Sequence, residues 1–179
     1  MITRLLLMFV ISLLLANTAL AQRDYLTPQE VDLVKEAQIL DKRIDVFIRA
    51  AERRLIVING SAAANAKPLK KESERWGELP TGSRAELVSD IARIIDAAID
   101  NIDDVSLHDE RSPLIAKSLR KLAASANSIM AQLKPLSAQA KSDAEIASFE
   151  QLNEGVQSIM EAATKLPPEV EKKAKKDKN

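Results

Sequence analysis

The chain has 179 residues, with 26 lysines and arginines balanced by 26 aspartates and glutamates, and it has no cysteine. The balance argues against a nucleic-acid binder, which carries a basic surplus. Without thiols there is no disulfide, no lipid-anchored N-terminal cysteine and no cysteine nucleophile. Glycine is scarce (4 residues) while Ala, Leu, Ile, Glu and Lys abound, a composition of helix formers.

Residues 1–21 carry the parts of a secretory signal in order. Arg4 supplies the positive start, Leu5 to Leu15 the apolar run, and Ala19-Leu20-Ala21 the small-x-small cleavage pattern. The run is too short for the ~20 residues of a membrane span. The mature chain is expected to begin at Gln22, without a transmembrane segment, and to work in the periplasm or outside the cell. Removing 21 residues leaves 158, a normal size for one domain, and brings the formal charge to −1. Residues 22–166 are expected to form that domain, and 167–179 a lysine-rich disordered tail.

The first helix opens at Thr27-Pro28-Gln29-Glu30, a capping box with proline at the first helical position. Leu33, Ala37, Leu40, Ile44, Phe47, Ala51 and Ile58 then recur at alternating steps of four and three, up to a stop at Asn59-Gly60. Arg54 is the one break in that apolar seam. Ser83 to Glu86 is a second capping box, opening a helix to about Val105 along Val88, Ile91, Ile95, Ala98 and Ile102. Ser112-Pro113 opens a third, along Ile115, Leu119, Leu122, Ala126, Ile129, Leu133 and Leu136, with Pro135 predicting an end or a kink. Ser142 to Glu145 opens the fourth, along Phe149, Leu152, Val156, Ile159 and Ala163, up to Pro167-Pro168.

Each helix has one narrow apolar stripe, interrupted by an alanine, and cannot bury it alone. The economical solution is an all-α, four-helix up-down bundle. Short connections at 106–111 and 137–141 imply that helices two, three and four alternate in direction. The stretch 61–82 is a long first connection, with a short helix in Leu69–Trp76. Its length permits helix two to lie either parallel or antiparallel to helix one.

Charge is unevenly placed. The second helix (83–105) has net −4, the third (113–141) +5 and the fourth (143–165) −4. Opposite signs on consecutive helices favour them as neighbours. A second reading makes the third helix a contact surface for an acidic partner through Lys117 and Lys121.

Few residues offer chemistry. Asp104 and His108, four apart in an acidic cluster, are the candidate metal ligands, yet they fall off the apolar seam and match neither an EF-hand nor a di-iron pattern. No haem-attachment motif, phosphate loop or nucleophile elbow is present, so neither a cofactor nor a catalytic residue is expected. Trp76, the only tryptophan, reads as an anchor for the long loop or as an exposed hot spot for a partner. Arg54 is expected to reach solvent or to pair with Glu72 or Glu74.

The functional expectation is an exported, non-enzymatic helical protein with a structural or protein-interaction role at the cell envelope. The alternative is a bundle that binds a small ligand or metal. The tail is expected to touch anionic lipid or polymer, with an attraction that fades above physiological salt.

Overall fold

The computed structural model describes residues 24–167. The expected signal peptide and all of the expected tail but Pro167 lie outside the described residues. Within them the fold is all-α, without strands. Its helices are α1 (Pro28–Glu36), α2 (Leu40–Ile58), α3 (Ala66–Trp76), α4 (Arg84–His108), α5 (Pro113–Ser137) and α6 (Asp143–Thr164).

The expectation of four helices is corrected to six among the described residues. The first expected helix is two: α1 stops at Glu36, and Ile39 restarts the chain from an extended conformation (φ −92°, ψ 131°) as the cap of α2. Neither proline nor glycine marks the break. Side chains hold it, as Arg43 Nε donates to the Ala37 carbonyl (2.9 Å) and Gln38 Nε2 to that of Lys35 (2.6 Å). The second addition is α3, longer by three residues than the short helix expected in the connection. Its Pro68 sits in the first turn, where a missing N–H leaves no bond unmade.

The predicted caps form. Thr27 and Ser83 each accept from the backbone N–H three residues on, and Glu30 and Glu86 reach back to the cap residue's own N–H. At Ser142 only half of the box forms, because the Glu145 carboxylate turns to Arg84 instead. The end expected at Pro135 is corrected. The helix runs through it to Ser137, so the missing N–H takes from the Ala131 carbonyl its intrahelical donor near the helix end.

The four long helices pack in a closed ring, α2 to α4 to α6 to α5 and back to α2, with α4 and α5 meeting across the middle. Contacts fix the directions. Arg43 bonds to Asn101 and Arg54 faces Asp90, so α2 and α4 are antiparallel. Asp41 pairs with Lys117 and Asp45 with Lys121, so α5 runs parallel to α2. Arg84 pairs with Glu145 and Asp96 bonds to Gln151, so α6 runs parallel to α4. Helices α4, α5 and α6 therefore alternate as their short connections imply.

The core lies on the predicted seams. Ile44, Val88, Ile91, Ala98, Leu133 and Leu152 are inaccessible to solvent, and Ala51 and Ala126 let α2 and α5 close up around them. At Gly155 the parallel pair α4–α6 comes close: a Cβ there would stand 3.3 Å from Asp96 Oδ1. Helices α1 and α3 form an outer layer with little apolar burial of its own. Only Glu30 and Leu33 of α1, and Trp76 of α3, are buried. No helix among the described residues is long and apolar enough to cross a membrane.

Candidate functional site

Three buried charges converge where this outer layer meets the ring. Helix α1 folds back along α2, which brings Glu30 of its first turn onto Arg53 and Arg54 near the end of α2. All three side chains are at most 1% exposed. Glu30 serves three groups at once. Its Oε2 accepts from the Thr27 N–H (2.9 Å), closing the cap of α1, and its Oε1 accepts from Arg54 Nη1 (2.7 Å) and Arg53 Nε (3.3 Å).

Each arginine then ties down another segment. Arg54 donates to the Ala50 carbonyl (2.9 Å) and, through Nη2, to that of Tyr25 (2.6 Å), fixing the chain ahead of α1. Its Nε makes no hydrogen bond among the described residues and lies 3.8 Å from the Asp90 carboxylate. Arg53 Nη2 donates to the carbonyls of Trp76 (3.1 Å), Gly77 (3.1 Å) and Glu78 (2.5 Å), while its guanidinium lies 5.6 Å from the centre of the Trp76 ring. A cation at the C-terminal end of α3 also complements the helix dipole. Burial pushes the Arg53 guanidinium below its ordinary value, and Glu30 opposes the shift by favouring the charged form.

Gly77 makes the turn out of α3 with φ 66°. That conformation favours glycine, and a Cβ there would stand 3.0 Å from Gln29 Cδ and push that side chain aside. The strap that follows, residues 78–81, runs beside α1. Between strap and helix lies an open cleft of about 870 Å³. Leu26, Val31, Leu79 and Pro80 give it apolar walls. Asp24, Asp32 and Glu78 bring three carboxylates against Lys35, and Arg54 lies at its base.

The structure places the sequence candidates as follows. Trp76 is 9% exposed, at the base of the strap, in the anchoring position. Arg54 does not reach solvent, and its carboxylate partner is Glu30. Glu72 instead takes Arg49 (2.6 Å). Lys117 and Lys121, 59% and 30% exposed, pair with α2 and bond Asp41 (2.5 Å) and Asp45 (2.6 Å). The Lys117 ammonium holds the Asp41 carboxyl below its ordinary value. Asp104 and His108 stand on the outside of the last turn of α4, 70% and 77% exposed, with His108 Nδ1 2.7 Å from the Asp104 carbonyl. Among the described residues no group of three or more His, Asp and Glu side chains is placed to hold a metal ion.

Sequence reasoning missed Glu30 and Arg53 as members of the cluster. On sequence alone Glu30 is only the partner of a cap, and Arg53 stands beside the seam. The signal available was the Arg53-Arg54 pair on an otherwise apolar helix face. Comparison with protein-family models, curated proteins and solved structures gave no match.

Proposed function

We propose that the chain is an exported, non-enzymatic helical-bundle protein with a protein-interaction role at the cell envelope. In this reading the four long helices are a four-helix bundle, and α1 with α3 is a layer added to carry a surface. The observation that supports it is the clamp of Glu30, Arg53 and Arg54. Desolvating ions costs several kcal/mol each, and apolar residues would hold the layer at least as well. What the ions add is definition, because they fix one helix and one strap at a set separation and so shape the cleft between them. An open, part-apolar groove with a charged rim suits a segment of another protein. Its volume also falls within the ~300–1,000 Å³ of small-ligand pockets, which keeps a ligand-carrying role as the second reading.

Native mass spectrometry of the full chain, isolated from the envelope fraction of cells that produce it, tests this. A co-isolating polypeptide of fixed stoichiometry supports the interaction role. Bound organic mass supports the second reading, and a chain confined to the cytosolic fraction with its first 21 residues intact overturns export.

A further inference from the structure

We propose that the cleft between α1 and the 78–81 strap takes an extended, lysine- or arginine-bearing peptide segment with apolar residues between its cations. The inference rests on the interaction reading and names the partner's chemistry. Three observations support it. Asp24, Asp32 and Glu78 outnumber Lys35 among the groups facing the cleft, and Lys35 lies 3.6 Å from Asp32, so the rim attracts cations. Arg54 at the base has Glu30 at 2.7 Å and Asp90 at 3.8 Å, so the Arg53–Arg54 pair faces two carboxylates and does not reverse that field. Leu26, Val31 and Leu79 are half-buried in the walls, leaving apolar area for side chains between the cations to cover.

A short extended peptide matches this alternation, because successive side chains point to opposite faces and can address rim and wall in turn. Because the cationic contacts are at the rim, binding weakens with salt, and the apolar contacts leave a remainder that salt does not remove.

Fluorescence anisotropy with a labelled short peptide alternating lysine and leucine tests the proposal on the full mature chain. A glutamate-leucine peptide and a lysine-serine peptide serve as comparisons. The expected result is saturable binding of the lysine-leucine peptide and weaker binding of both others. Replacing Asp24→Asn, Asp32→Asn and Glu78→Gln together should weaken it at least tenfold, and Glu150→Gln with Glu154→Gln on α6 should leave it unchanged. Equal loss from the α6 pair would show unspecific charge attraction and overturn the proposal, as would tighter binding of the glutamate peptide. If none of the peptides binds while a polypeptide still co-isolates with the native chain, the cleft assignment fails and the interaction reading stands. Circular dichroism of each variant, matched to the parent, shows that the fold is retained.

Discussion

At the scale of single residues, Glu30 carries the most weight. It is fully buried, closes the cap of α1 with one oxygen and holds two arginines with the other. Glu30→Gln keeps the shape and removes the charge, leaving two buried guanidiniums with Asp90 as the neighbouring carboxylate. Urea unfolding should then show a loss of about 3–5 kcal/mol, as for breaking a buried pair. A loss below about 1 kcal/mol, the range of exposed pairs, would mean that the clamp holds little. Asp41 gives the pH dependence. Its carboxyl is held below the ordinary value of 3.8 by Lys117, so the folded state favours its ionised form. The stabilisation is present above that ordinary value and drains away as pH falls through the lower folded value. Asp41→Asn should therefore lower the melting temperature at neutral pH and flatten its fall below pH ~4. An unchanged acid limb would contradict the pairing.

Elements were legible in the sequence wherever a signal was local. The caps at Thr27, Ser83 and Ser142 and the seams of α4, α5 and α6 follow from side chains within one or two turns, and the structure has them. What was not legible depended on distant partners. The break at Ala37–Ile39 has no local breaker and is written instead in Arg43 bonding across the gap and in Glu30 meeting Arg53. Likewise Lys117 and Lys121 look solvated on their own helix, and only the parallel placement of α2 beside α5 supplies Asp41 and Asp45. The close approach of α4 and α6 at Gly155 makes a prediction at this scale. Gly155→Leu forces a side chain against Asp96 and Ile95 and should cost about 1–3 kcal/mol by overpacking, whereas a surface leucine on α6 should not. Equal stability would show that the two helices stand further apart.

The whole molecule reads as a tightly packed ring with a charge-held layer on one side. The ring buries long apolar seams on every member, while α1 and α3 contribute Glu30, Leu33 and Trp76. Local opening follows such differences in buried apolar contact. Native-state hydrogen exchange should thus find the amides of α1 and α3 opening well before those of Ile91 to Ala98 or Ile129 to Leu133. Protection of α1 equal to that of the ring would contradict a separable layer. The candidate site belongs to this scale, which is why the sequence showed only pieces of it. Trp76 and Arg54 were visible as oddities, but the cleft exists only because the chain reverses between α1 and α2 and the strap returns past Arg53.

That reversal is the central claim, and one distance tests it. The chain has no cysteine, so spin labels placed by Gln29→Cys and Glu52→Cys report that pair alone. One continuous helix through both positions would separate their backbones by about 35 Å, at 1.5 Å per residue. With Glu30 on Arg53, pulsed dipolar spectroscopy of the full chain should give a single distribution centred at well under half that length. A population at the full helical distance would contradict the fold-back, and with it the clamp and the cleft.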